Sequence, residues 1–188
     1  MSQVFSRSSL FAMSLLVATA GLGLWLGDLH GKTDPHILRW GTVHRLSGVF
    51  AALVVVLVNS MGVTYFIGTG RWCREVVEAY NLDSVFIERS KKLKKSAFPF
   101  ALMSMLGVVA IVALGGAADP ASGRPGTEMW VTPHLLGGLG ISAGIGLCFL
   151  GQLNPIRAHS ALIDDVMKEV HHAREVRGLD TKIAQTSP

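Results

Sequence analysis

The sequence predicts an all-α integral membrane protein, a four-transmembrane-helix bundle built from two tandem helical-hairpin repeats. Its composition is apolar: 49% of the residues are hydrophobic and only 16% are charged, and the mean hydropathy is +0.42. The apolar residues form four blocks, each close to the roughly 20 residues that a helix needs to cross the hydrocarbon core. They cover residues 9–27, 43–68, 98–117 and 133–153.

A motif that occurs twice indicates the repeats. Trp-x-Thr-x-His-x-Leu-x-Gly occupies residues 40–48 and residues 130–138, an offset of 90 residues, since 134 minus 44 is 90. The same offset extends without gaps into the preceding helix, where Leu16 matches Leu106 and Leu24 matches Leu114. Each repeat, residues 9–68 and 98–153, is expected to be one helix out, an outer loop and one helix back. An axis along the membrane normal would relate the repeats.

The first block has a second interpretation. Arg7, the apolar stretch and the small residues 18–21 (ATAG) together resemble a signal peptide with its cleavage site. The block has a counterpart in the second repeat, and we therefore expect a transmembrane helix. In the second block Arg45 is the one charged residue, near an end where it can snorkel to the headgroups.

The segments outside the repeats are basic. Residues 69–97 have apolar positions between charges, which indicates either an amphipathic helix on the cytoplasmic surface, with a Lys cluster suited to anionic lipid, or a basic linker. The tail, residues 154–188, has helical spacing at Leu162, Val166 and Val170, and should extend the fourth helix or dock beneath the bundle. After Gly178 a frayed end is expected.

The distribution of Lys and Arg predicts the orientation. Seven of these residues lie between the second and third helices: Arg71, Arg74, Arg89, Lys91, Lys92, Lys94 and Lys95. The loop from residue 119 to 132 holds only Arg124. Both termini are therefore expected in the cytoplasm of a bacterial cell, with the protein in the inner membrane. Topology also explains the pI near 9.3 without a nucleic-acid partner. Cys73 and Cys148 would be on the reducing side, where a disulfide is not expected.

His44 and His134 are the candidate ligands. A histidine inside a transmembrane helix suggests function, and one imidazole from each of two helices can hold a haem iron in a bundle core. Gly48 and Gly138, four residues after each histidine, would leave room for a flat macrocycle. The alternatives are that each histidine bonds a loop carbonyl, and that glycines such as those at 140 and 144 only pack helices closely.

Other polar residues have simpler interpretations. Thr42 and Thr132 are predicted to be helix N-caps, with Pro133 at the first helical position. Trp25, Trp40, Trp72 and Trp130 are expected to anchor the helices at headgroup level. The loop residues Asp28, His30, Asp34 and His36 could bind a metal or be ordinary polar residues, while His159, His171 and His172 are expected in the cytoplasm, outside any site.

The stretch HRLSGVF at residues 44–50 resembles the His-Arg-x-Ser/Thr-Gly stretch in the cytochrome b membrane anchors of succinate dehydrogenase, where it borders the quinone site. The resemblance covers His44, Arg45, Ser47 and Gly48; Gly41 replaces the preceding serine of that family, and the second copy lacks the arginine. More broadly, the chain is similar to four-helix membrane cytochromes b, in which histidines from different helices hold haem.

These patterns favour a membrane-bound b-type haem electron-transfer subunit, with His44 and His134 as both axial ligands and a possible quinone as partner molecule. Arg45 would then pair with a haem propionate or a quinone carbonyl, or simply snorkel. One alternative is a non-catalytic subunit of a respiratory or photosynthetic complex, which would contact lipid and other membrane subunits. Another is a copper site at the paired histidines.

Overall fold

The computed structural model describes residues 1–178, and these residues form an all-helical bundle. The four long helices are α1 (Ser2–Leu26), α2 (Pro35–Tyr80), α3 (Val85–Ala118) and α4 (Val131–Val176). Two 3₁₀ turns, Pro120–Ser122 and Thr127–Trp130, lie in the α3–α4 connection. Each long helix is long and apolar enough to cross a membrane. The predicted four-helix membrane architecture is confirmed in this respect.

The N-cap of α2 is not the residue that was predicted. Asp34 is the N-cap, with its side chain accepting a hydrogen bond from the backbone N–H of His36 at 2.8 Å, and Pro35 follows at the first helical position. Thr42 is therefore already inside the helix, and its hydroxyl donates to the carbonyl of Leu38. The N-cap predicted there was wrong, because the helix begins two turns earlier.

The α4 start also differs. Trp130 is the N-cap and makes no side-chain capping bond, so Thr132 lies within the first turn and does not cap the helix. The 3₁₀ turn Thr127–Trp130 leads directly into α4. Its own backbone bonds replace the hydroxyl cap that the sequence suggested.

Two helices continue far beyond a membrane thickness. Both α2 and α4 have 46 residues, about 69 Å at 1.5 Å per residue, against a hydrocarbon core of about 30 Å. Residues 69–80 continue α2 and residues 85–97 begin α3, joined by a turn in which Asn81 has a left-handed backbone (φ 56°). Neither a separate surface helix nor a linker forms. The tail continues α4 to Val176, as one of its two predicted alternatives required.

Three helical segments lie outside the predicted spans: residues 69–80 of α2, residues 85–97 of α3 and residues 154–176 of α4. Together they are called the extension below. They share a small core of their own, formed by Cys73, Val77, Val166 and Val170. Val76, Tyr80 and Phe86, whose spacing suggested a lipid-facing surface, pack against this core. Apolar side chains on all three segments thus cover one another.

Prolines interrupt two of the three helices near the base of the extension. Pro99 lies inside α3 and Pro155 inside α4, and each removes one backbone N–H donor from its helix. In α2 the only proline is Pro35, at the first helical position. The α2 backbone therefore runs without a proline from its first turn to the extension.

The buried positions of the two hairpins follow a regular relation. In α2 and α4 five buried positions are offset by 90, as in the motif: Val55, Val58, Asn59, Gly62 and Phe66 against Ile145, Cys148, Phe149, Gln152 and Ile156. In α1 and α3 the offset is 92: Phe5, Ser9, Ala12, Leu16 and Leu26 against Ala97, Ala101, Ser104, Val108 and Ala118. The ungapped match of Leu16 with Leu106 was therefore wrong by two residues. The second hairpin is two residues shorter between the facing positions of its helices.

A polar layer crosses the middle of the bundle. The Asn59 amide donates to Ser104 Oγ at 3.0 Å and to the Val55 carbonyl at 2.8 Å, and the Gln152 amide donates to Asn59 Oδ1 at 3.0 Å. All three side chains are buried. This network joins α2, α3 and α4 where few other polar side chains are available.

Candidate cofactor site

A cavity of about 430 Å³ lies among all four helices, at the end of the bundle that carries the α1–α2 and α3–α4 connections. We call this the histidine end. The walls are largely apolar, formed by residues such as Leu16, Val108 and Leu139, and both His44 and His134 line the cavity. Its volume is within the range of small-molecule and cofactor sites, roughly 300–1,000 Å³.

The two histidine rings face each other across the bundle. Their centroids are 6.2 Å apart and their planes meet at 69°. His44 comes from α2 and His134 from α4. The sequence predicted this pairing, and the structure brings the two rings together.

A glycine on a neighbouring helix makes room for each ring. A Cβ atom at Gly23 of α1 would lie 2.8 Å from His44 Cε1, and one at Gly115 of α3 would lie 3.1 Å from His134 Cε1. Real Cβ contacts are longer than the first of these, so a side chain at Gly23 would push the ring away. Each glycine lies on the helix that precedes the helix of its histidine. Neither glycine belongs to the repeated motif.

The ring nitrogens have unequal partners. His44 Nδ1 lies 3.1 Å from the backbone carbonyl oxygen of Thr19, to which a protonated Nδ1 donates. His134 Nδ1 is buried and has no partner among residues 1–178. Neither Nε2 atom makes a hydrogen bond within the described chain. In His44 the carbonyl therefore favours the tautomer whose Nε2 has a free lone pair, as in metal-binding histidines.

The spacing of the rings fits one metal ion between them. A metal–imidazole bond of about 2.0–2.1 Å, as zinc makes, with about 1.1 Å from nitrogen to ring centre, gives two in-line rings a centroid separation of about 6.3 Å. The observed separation is 6.2 Å. The distance between the ring centroids is therefore compatible with one shared metal ion.

Of the glycines predicted to make room beside the histidines or to pack helices, only two lie beside the cavity. Gly48 and Gly138 both line the cavity. A Cβ at Gly48 would lie 3.7 Å from Thr19 Cγ2, and one at Gly138 would meet nothing within 4 Å. Gly140 and Gly144 have open space beside them and lie outside the cavity, so they pack no helix within residues 1–178.

Arg45 is at the mouth of the cavity, where its partner is a carboxylate. Its guanidinium donates to Asp119 Oδ1 at 3.0 Å and to Thr42 Oγ1 at 2.8 Å. Asp119 is the C-cap of α3 and also lines the cavity. This pair could not be predicted from the sequence, because its two members are 74 positions apart.

The histidines predicted for the first outer loop, His30 and His36, make hydrogen bonds in the structure. His30 bridges the two connections: Nδ1 lies 2.6 Å from Asp28 Oδ1 and Nε2 lies 2.8 Å from Thr127 Oγ1. Hydrogen bonds from the backbone N–H and the ring of His30 lower the pKa of the Asp28 carboxyl. His36 accepts a bond from the Trp40 indole at 3.3 Å. No group of three or more His, Cys, Asp or Glu side chains in residues 1–178 could hold a metal ion.

His159, predicted to lie beyond the membrane spans and outside any site, has a structural role. It is completely buried, with Nε2 2.9 Å from Ser90 Oγ and Nδ1 3.3 Å from the Tyr65 hydroxyl. It thus ties α4 to α3 and α2 at the base of the extension. Its position continues the buried stripe of α4, seven residues after Gln152 and three after Ile156. This helical spacing is the sequence feature from which its burial could have been predicted.

Comparisons with known proteins gave no relative on which to base a function. No protein-family model matches the chain, and neither the curated proteins nor the solved structures contain a match.

Proposed function

We propose that this protein is a membrane-bound b-type haem electron-transfer subunit, linked to quinol, with His44 and His134 as the two axial ligands. The observation that carries the proposal is the ring pair itself: centroids 6.2 Å apart, inside a cavity, with both Nε2 atoms free of hydrogen bonds. When bound, haem would supply one-electron chemistry at its iron.

The cavity is the reason to prefer haem to a bare copper ion. Two imidazoles can hold Cu(I) on their own, and such an ion needs no space beyond its two bonds. Here about 430 Å³ surrounds the histidines, and the lining includes Gly48 and Gly138. An apolar, roomy site with two nitrogen ligands matches a flat macrocycle better than a lone ion.

The residues around the ligands would have distinct tasks. The Thr19 carbonyl would fix the tautomer and orientation of His44. Arg45 at the mouth of the cavity carries positive charge. Its guanidinium could donate to a propionate or a quinone carbonyl while it keeps its bond to Asp119. Gly23 and Gly115 would keep both rings at their present distance.

The basic extension supports the orientation in which both termini are cytoplasmic, in a bacterial inner membrane. The haem would then be near the outer face, where electrons from quinol could pass to a partner. Lipid and other membrane subunits would cover the helix faces.

Absorption spectroscopy tests the proposal. Protein extracted in mild detergent should show a low-spin b-type spectrum with stoichiometric iron. His44→Ala and His134→Ala should each convert or abolish it, because each removes one axial ligand. His36→Ala should leave it unchanged, since the His36 ring lies in the first turn of α2, outside the cavity lining, where it contacts Trp40. A wild-type chain without haem, or both variants with the wild-type spectrum, would exclude these ligands. Copper without haem would instead support the copper site.

A second candidate is a non-catalytic subunit of a larger membrane complex. The observation in its favour is the open space beside Gly140 and Gly144 on α4, a spacing at which membrane helices approach closely. This reading becomes the leading one if the wild-type chain binds neither haem nor copper. Co-purification of a stoichiometric membrane partner would support it.

A further inference from the structure

A second cavity, of about 350 Å³, lies between α1 and α4 on the side of the bundle. Its lining is apolar except for one hydroxyl, and Val17, which is 65% exposed, forms part of its wall. The groove is therefore open toward the region that the lipid chains would occupy. It is lined by Met13, Leu16, Val17, Ala20, Gly21, Leu24, Leu139, Ser142 and Ala143.

The groove adjoins the histidine cavity. Five residues line both: Leu16, Ala20, Leu24, Leu139 and Ser142. A molecule that enters from the side of the bundle would thus reach the wall of the proposed haem site without crossing a headgroup layer.

Ser142 is the one hydroxyl shared by the two cavities, and its hydroxyl has no hydrogen-bond partner in residues 1–178. Three serines of the apolar helices bond to the carbonyl three residues earlier: Ser9 to Ser6 at 3.0 Å, Ser14 to Phe11 at 2.8 Å and Ser47 to His44 at 2.9 Å. Ser142 follows His134 and Gly138 at four-residue spacing, so it lies on the same helix face, about 12 Å deeper.

We infer that this groove binds an isoprenoid quinone, with the head group accepting a hydrogen bond from Ser142 and the chain leaving between α1 and α4. A phospholipid suits the position less well, because its acyl chain would offer Ser142 no acceptor: its oxygens belong at headgroup level, whereas Ser142 lies about 12 Å deeper than His134. A quinone head is uncharged and offers carbonyl acceptors. The inference rests on the proposed function, to which it adds the location of the quinone.

Photolabelling tests the groove. The protein, in nanodiscs of phosphatidylethanolamine and phosphatidylglycerol, is labelled with an azidoquinone in competition with decylubiquinone, and the labelled peptides are mapped. Label should map to residues 13–24 and 139–143. Gly21→Leu should lower it about tenfold, because the added side chain fills the groove without meeting any neighbour within 4 Å of its Cβ.

Two matched variants serve as controls. Gly140→Leu places the same side chain in open space outside both cavities, and it should label like the wild type. Ser142→Ala should weaken competition by decylubiquinone about 3- to 10-fold, the effect of losing one hydrogen bond. Ser14→Ala, whose hydroxyl bonds its own helix, should not.

The haem content of the same samples separates the two proposals. Normal haem with lost labelling in Gly21→Leu supports the groove. Groove labelling of a wild-type protein that contains no haem would support the quinone groove and contradict the haem proposal. Label elsewhere, Gly21→Leu labelling like the wild type, or equal labelling by an azido-phospholipid that decylubiquinone does not displace would overturn the inference.

Discussion

His44 and His134 occupy corresponding places, yet their Nδ1 atoms are in different surroundings. The Thr19 carbonyl holds the first ring at 3.1 Å, whereas the second ring has no polar partner within residues 1–178 and is positioned by contact with Gly115. Hydrogen bonding to Nδ1 raises the basicity of a ligating imidazole. The Nε2 atoms of the two rings would therefore be unequal donors to the metal of the proposed site.

The glycines opposite the rings give the first prediction. Gly23→Ala and Gly115→Ala should each lower haem content, because the new methyl groups would lie 2.8 Å and 3.1 Å from ring carbons. The larger loss is expected for Gly23→Ala. Haem per chain, measured by absorbance and iron analysis, provides the readout. Gly21→Ala, with nothing within 4 Å, should bind haem normally; equal loss in all three variants would contradict the steric explanation.

The polar layer gives the second prediction. Asn59→Ala should destabilise the bundle by about 1 kcal/mol, because it leaves the buried Gln152 amide without its Oδ1 acceptor. Unfolding in detergent by heat or denaturant measures the change. The double variant Asn59→Leu/Gln152→Leu removes both partners and should lose less. A double variant less stable than Asn59→Ala would show that the hydrogen bonds of the network contribute more to stability than an unpaired Gln152 amide costs.

At this scale the sequence predicted the pairing of the two histidines but not the residues that surround them. His44 and His134 were found because scarce residues recur at one spacing. Thr19, Gly23, Gly115 and Asp119 were not found, because their roles depend on which turn of α1 or α3 faces the motif. That register differs by two residues between the hairpins, and an ungapped sequence match cannot reveal it.

At the scale of elements, the extension was the main departure from expectation. Its apolar positions were recognised, but amphipathic spacing is the same for a helix lying on lipid and for one packed against two neighbours. The second apolar block ends at Gly68, yet α2 continues through both Gly68 and Gly70. The packing of Cys73 and Val77 on Val166 and Val170 offsets the cost of glycine in a helix.

Thiol accessibility tests this element. Cys73 is completely buried in the core of the extension, so maleimide should react with it slowly. Val166→Ala should accelerate the reaction, since a cavity in this core costs roughly 1–3 kcal/mol and favours local opening. Met167→Ala, at a neighbouring position that is 37% exposed, should have little effect. Equal rates in the two variants would indicate that the three segments do not pack as described.

The molecule as a whole has strongly unequal ends, which makes its orientation testable. Native cysteines are poor reporters, because Cys73 and Cys148 are both buried. Lys32→Cys, in the α1–α2 connection, should react with a membrane-impermeant maleimide in intact cells. Lys168→Cys, in the extension with a side chain that is 77% exposed, should react only after lysis. The reverse pattern would place the histidine end in the cytoplasm.

Hydropathy was sufficient to predict the number and order of the long apolar helices, since each apolar block of about 20 residues has few structural alternatives in a membrane. Hydropathy could not predict where these helices end. Block lengths indicated spans of 26 residues or fewer, whereas Asn81 and the turn after Val176 end helices of 46 residues. Those ends depend on contacts between distant segments.

The uneven placement of proline has a mechanical consequence. Of the three helices that enter the extension, α3 and α4 contain Pro99 and Pro155 near its base, where bending is easiest, while α2 is uninterrupted from His44 to Tyr80. This span is about 54 Å. If α2 tilts as a stiff lever by about 5° around the histidines, its far tip moves by about 5 Å. A small adjustment beside the imidazoles would thus become a displacement of several ångströms at the far end of α2.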